Sequence, residues 1–91
     1  MANVRCISIV GLETWFNSRD HLPPHFHAEK RDQWEVRVMF MRQPAEIEVC
    51  WGSPPSGRAQ KRLRTAAEEH RNELLLEWEQ AVCVRAPGAE E

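Results

Sequence analysis

The 91-residue chain reads as a single α+β domain: a small, mainly antiparallel sheet of about four strands packed against a long or broken C-terminal helix. Three observations predict this class. Segments in the first half alternate apolar and polar residues with period two, as half-buried strands do. After the breaker-rich stretch GSPPSG at 52–57 the period changes to 3.6. The length, with 42% apolar and 29% charged residues, suits one hydrophobic core and no second domain. The ordered unit is expected over residues 1–84, with the Pro- and Gly-containing tail 85–91 flexible.

From Arg5 to Phe16 the chain is rich in β-branched and aromatic residues around Gly11, which predicts a first strand with a bulge at the glycine. Asn17 to Pro24 gathers Asn, Ser, Asp and the Pro23-Pro24 pair into a loop with a stiff exit. His25 to Glu29 alternates, so His25, His27 and Glu29 share one face of a second strand, with Phe26 and Ala28 on the other.

Trp34 to Phe40 predicts a third strand with Trp34, Val36, Val38 and Phe40 inward. After the turn at Arg42-Gln43-Pro44, AEIEVCW predicts a fourth, with Ile47, Val49 and Trp51 inward and Glu46, Glu48 and Cys50 outward. These two strands should form an antiparallel hairpin. Leu63, Ala67, His70, Leu74 and Trp78 then mark the stripe of an amphipathic helix from about Arg58 to Val82. At 1.5 Å per residue that helix is roughly 37 Å long, more than a domain of this size is wide. A kink near His70-Arg71-Asn72, or an overhang resting on a partner, is therefore expected.

A formal net charge of −2 and a pI near 6.1 give no general attraction to phosphate backbones. Nucleic-acid binding is possible only through a local patch and is not indicated. Cys6, Cys50 and Cys83 are few, odd in number and widely spaced, which reads as buried thiols of a reducing cytoplasm. The N-terminus lacks the pattern of a secretory signal and no apolar run approaches about 18 residues, so neither export nor membrane insertion is expected. No P-loop, Rossmann glycine pattern, G-x-S-x-G or Cys ligand pair supports a nucleotide or acyl-transfer reading.

The stretch RDHLPPHFHAEK places three of the four histidines within seven positions. His25 and His27, two apart on a strand, have α-carbons roughly 6.6 Å apart, within reach of one zinc or late first-row ion. A third ligand would come from His21, His70, Asp20 or Glu29, the last being the most distant along the strand. Two other readings stand beside this one. The histidines are structural, one donating to a loop carbonyl, one stacked on a tryptophan and one exposed; or His25 and His27 serve as acid and base without metal, as in RNA phosphodiester cleavage. His70, on an apolar helical stripe, suits a core residue unless the helix packs over the second strand.

Arg58, Lys61, Arg62 and Arg64 crowd the start of the helix, where the macrodipole disfavours cations. A phosphate backbone or an acidic partner surface could offset them, as could Glu46 and Glu48 of the sheet. The later turns carry Glu68, Glu69, Glu73, Glu77 and Glu79, so the helix as a whole is not basic. Trp15, Trp34, Trp51 and Trp78 fall at apolar positions or strand ends, as core residues or as an interface anchor.

HLPPHFHAE resembles the H-N-P-P-H-F-H-A signature of the bacterial domain of unknown function 4160 family. Matching positions are His21, Pro23, Pro24, His25, Phe26, His27, Ala28, His70, Glu73, Leu74 and Trp78. The resemblance runs over roughly residues 6–82; Leu22 stands where the family has asparagine, and EKRDQW lacks the family's glycine turn. It implies no settled activity. Members sit beside another short protein in arrangements that resemble toxin–antitoxin pairs, which implies a protein partner and a growth-control role. The expectation is a cytoplasmic module of that type, acting through a small protein partner or as a homo-oligomer, with the histidine cluster as its functional surface. The alternative is a small hydrolase of RNase type, with His21, His25, His27 and His70 as metal ligands or His25 and His27 as acid and base.

Overall fold

The computed structural model describes residues 2–82. It contains β1 (Ala2–Asn3), β2 (Glu13–Phe16), β3 (Phe26–Lys30), β4 (Trp34–Met39), β5 (Glu46–Gly52), α1 (Gly57–Glu69) and α2 (Arg71–Ala81). The strands form one antiparallel sheet in the order β1-β2-β3-β4-β5, each paired with its neighbour in sequence. Cys83 and the tail at 85–91 lie outside the described residues.

Of the strand expected from Arg5 to Phe16 only Glu13–Phe16 is strand; the residues before it are irregular, and the short β1 lies upstream at Ala2–Asn3. Gly11 makes no bulge there: it takes φ +88° in a turn closed by the Leu12 N–H donating to the Ile9 carbonyl at 3.0 Å. Propensity marked the residues as strand formers, but Val4 and Ile7 are buried as loop residues in the core. On α2, Glu77 fixes this segment: its two carboxylate oxygens accept the Arg5 and Cys6 N–H groups at 2.8 and 2.9 Å.

The alternation in β3 and β4 holds. Phe26, Ala28, Val36 and Val38 face a core completed by Phe16, Phe40, Leu63, Ala67, Leu74 and Trp78. Burying each large side chain here contributes roughly 1.5–3 kcal/mol, so this layer contact dominates the stability of the fold. The three-residue link Arg31–Gln33 joins the two strands with Lys30 opposite Trp34, and Asp32 takes the positive φ of 63° for which a glycine was missing.

In β5 the expected inward set is only partly right. Trp51 faces Glu35 while Val49 faces Val36, so Cys50 is an extra residue that forms a bulge. The bulge turns Trp51 to the face opposite the core, where its Nε1–H donates to Glu35 Oε1 at 3.2 Å. Val49 keeps the core-side register, yet β5 pairs on one side alone, and both residues remain about two-fifths exposed (42% and 43%).

The long helix is broken. His70, at φ −116° and ψ 24°, separates α1 from α2, and the stripe resumes in Leu74 and Trp78, both buried. Ser56 caps α1 by accepting the Ala59 N–H at 3.1 Å.

Candidate functional site

The loop of residues 17–24 folds over the sheet face opposite the helices. It is held by a reciprocal turn: the Asn17 N–H donates to Asp20 Oδ2 at 2.9 Å and the Asp20 N–H to the Asn17 carbonyl at 3.1 Å. This brings the Asp20 carboxylate over His27. The ring nitrogen Nε2 of His27 lies 3.0 and 3.2 Å from the two Asp20 oxygens and 3.3 Å from the Asn17 side-chain amide. Beside a carboxylate this close, Nε2 carries the proton and donates.

His25 precedes β3. Its Nδ1 lies 2.9 Å from the Pro23 carbonyl, which can only accept, so Nδ1 is the protonated nitrogen. Its Nε2 then turns inward, 3.5 Å from Asp20 Oδ1. The two imidazoles meet edge to face with centroids 5.1 Å apart. Trp15, paired with His27 across β2 and β3, stacks on that ring at 5.5 Å and 12°, and Trp78 flanks His25 at 5.4 Å.

Both histidines are nearly covered, His25 at 4% and His27 at 6% exposure. His25 Nε2 and His27 Nδ1 are buried without a hydrogen-bond partner. A buried nitrogen so placed costs about 1–3 kcal/mol unless something else satisfies it. The nearest charged group to His27 Nδ1 is Glu35, whose Oε2 lies 3.5 Å away. Ligand-capable atoms within 4.8 Å of one another occur in two sets among the described residues, Asp20-His25-His27 and His27-Glu35-Cys50.

The sequence-derived candidates therefore divide. His25 and His27 do come together, and Asp20 joins them as the third group. His21 is exposed and lines, with His25, Arg37, Arg42, Glu46 and Glu48, a shallow groove of about 280 Å³. His70 is not brought to the cluster: it sits at the helix break, half-exposed, with Nδ1 2.6 Å from Glu73 Oε1. The helix reaches the histidines instead through Trp78. The structural roles expected of the three clustered histidines are all present, His25 on a loop carbonyl, His27 on a tryptophan and His21 at the surface. Because the cluster is buried, what it presents to solvent is limited to the groove beside His25.

Sequence reading passed over Glu35 as a neighbour of His27. The signal was available in the short link at 31–33: a tight hairpin with Lys30 opposite Trp34 places Arg37 opposite His27 and Glu35 diagonal to it.

The basic group at the start of α1 is also divided. Arg64 turns in and donates through Nε to the Ala45 carbonyl at 3.1 Å, a structural role, and Lys61 is exposed. Arg58 and Arg62, with Lys30, line a groove of about 600 Å³ alongside Ile9, Val10 and Trp34. Glu46 and Glu48 do not offset these cations, since they pair with Arg42 and Arg37.

The thiols differ from the expected buried set: Cys6 is half-buried and Cys50 exposed, both free. Burial, then the hydrogen bond to Glu77 and its charge, push the Cys6 thiol up to about 12. Burial and the charge of Glu35 also raise Cys50. No helix among the described residues is long and apolar enough to cross a membrane.

No curated protein and no solved structure matches the chain. The family model described as Domain of unknown function (DUF4160) matches residues 12–79, a span that takes in the histidine loop, the hairpin and Trp78, and the chain belongs to that family.

Proposed function

We propose that this protein is a small cytoplasmic module of toxin–antitoxin type that acts through a protein partner, with the edge strand β5 as its docking element. The observation that carries this reading is the open edge of β5, seven residues long and, among the described residues, paired with β4 alone. Edge strands are commonly guarded by charge, and the Glu46–Glu48 half is so guarded by its pairs with Arg42 and Arg37. The Val49–Trp51 half carries no charged side chain and presents a valine and a tryptophan to solvent. An extended partner segment adding to this edge gains main-chain hydrogen bonds and an aromatic anchor. The bacterial, growth-control setting follows from the family resemblance.

A hydrolase of RNase type using His25 and His27 is the second reading, favoured by the groove beside His25. It needs a substrate to touch both rings, and their 4% and 6% exposure works against that.

The test is co-expression with any short protein encoded next to the gene for this chain, followed by purification of the complex and comparison with Val49→Asp and Trp51→Asp. The reading expects a complex with wild type and at least a tenfold loss of affinity in both variants, with unchanged circular dichroism. A complex that tolerates both substitutions contradicts it. Self-association abolished by the same substitutions makes the partner a second copy of this chain.

A further inference from the structure

We propose that Asp20, His25 and His27 form a binding site for one divalent ion of the zinc class, entered from the groove lined by His21 and His25. The inference goes beyond the partner-binding reading and does not depend on it.

The geometry carries it in three ways. A four-coordinate ion with bonds of about 2.0–2.1 Å holds neighbouring ligand atoms roughly 3.3–3.4 Å apart. Asp20 Oδ1 lies 3.0 Å from His27 Nε2 and 3.5 Å from His25 Nε2, on either side of that spacing. Second, His25 Nε2 is buried and has no hydrogen-bond partner, with its side chain 5% exposed and aimed at the Asp20 carboxylate. Its Nδ1–H is already held by the Pro23 carbonyl, the outer arrangement that fixes a metal-ligating imidazole in its tautomer. Third, His27 has the same outer partner in waiting. When Nε2 gives its lone pair to the ion, the proton resides on Nδ1, which points towards Glu35 Oε2 at 3.5 Å. Both imidazole nitrogens that lack a hydrogen-bond partner are then satisfied, His25 Nε2 by the ion and His27 Nδ1 by Glu35.

Two imidazoles and one carboxylate are a donor set that zinc and ferrous ions accept, leaving a position for water or an incoming group. The neighbouring set His27-Glu35-Cys50 uses the other nitrogen of His27, so one neutral ring cannot serve both sets at once. The carbonyl-fixed tautomer of His25 favours the Asp20 side.

The experiment is a zinc titration of the untagged chain, read by calorimetry and by the fluorescence of Trp15 stacked on His27. The expected result is one zinc per chain, with binding weakened more than about 100-fold in His25→Ala and in Asp20→Asn, and about 10-fold in Glu35→Gln. His70→Ala and Cys50→Ser should bind as wild type. Circular dichroism checks folding, and if His25→Ala does not fold, Asp20→Asn decides. Absence of zinc binding to wild type overturns the proposal. So does undiminished binding in folded Asp20→Asn, and so does loss of binding in Cys50→Ser, which puts the ion on the Glu35 side.

Discussion

The indole of Trp78 lies against the imidazole of His25, ring centroids 5.4 Å apart and planes tilted by 48°. Through this contact and an edge-to-face contact with Phe16 at 6.4 Å, Trp78 ties α2 to the start of β3 and to the end of β2. Trp78→Ala is expected to cost about 3–5 kcal/mol, a large part of what holds a domain of this size. Trp78→Phe keeps most of the contact and should cost less than half as much. Urea unfolding followed by circular dichroism measures both; equal costs for the two variants count against the indole as the tie.

Gly52 ends β5 with φ +87°, and a β-carbon placed there meets the Gln33 carbonyl oxygen at 2.2 Å. The obstacle is backbone, which cannot swing away as a flexible side chain does. Gly52→Ala is expected to lower stability by more than about 2 kcal/mol, through both the clash and the left-handed conformation. Thermal unfolding checks this, and a loss under about 1 kcal/mol speaks against the close β4–β5 approach at Trp34.

Glu77 joins α2 to the segment before β2 by accepting two backbone N–H groups. Glu77→Ala leaves both donors without it and is expected to cost about 1–3 kcal/mol. Glu77→Gln retains one acceptor oxygen and should recover roughly half. Amide exchange at Arg5 and Cys6 gives the local readout, with faster exchange in the alanine variant.

Much of this architecture was legible in the sequence. Period-two patterning gave β3 and β4 their faces because each has the core on one side and polar surroundings on the other. It misled in β5, where the bulge at Cys50 reverses the alternation and a free edge leaves Val49 uncovered. The segment Arg5–Leu12 has strand-forming residues but packs as a loop, its N–H groups taken by a glutamate more than seventy residues away (separations of 72 and 71). That is a tertiary contact no local pattern announces. The site followed the same division: the spacing of His25 and His27 put them together, and Asp20 was among the possible third groups. His70 was drawn in by its position on the stripe, but the helix breaks at that residue and turns it towards Glu73.

Cys6 gives the fold a pH dependence with a definite sign. Its thiol is pushed from 9.0 to about 12 by burial and by Glu77, so the folded state favours the protonated form more than the unfolded chain does. The associated stability is complete below about pH 9 and is lost as pH rises towards 12. Cys6→Ser removes this titrating thiol and leaves every other group, Cys50 included, common to both proteins. Urea midpoints should therefore fall between pH 8 and pH 10.5 more steeply in wild type than in Cys6→Ser; parallel slopes refute the assignment.

Hydrogen–deuterium exchange of the chain with and without the protein partner proposed above tests the partner-binding account most directly. The account predicts that amides of Glu46–Gly52 slow on complex formation, with the strongest change towards Val49–Trp51. Protection confined to the groove of His21 and His25, with β5 unchanged, contradicts β5 as the docking element and moves function to the histidine loop.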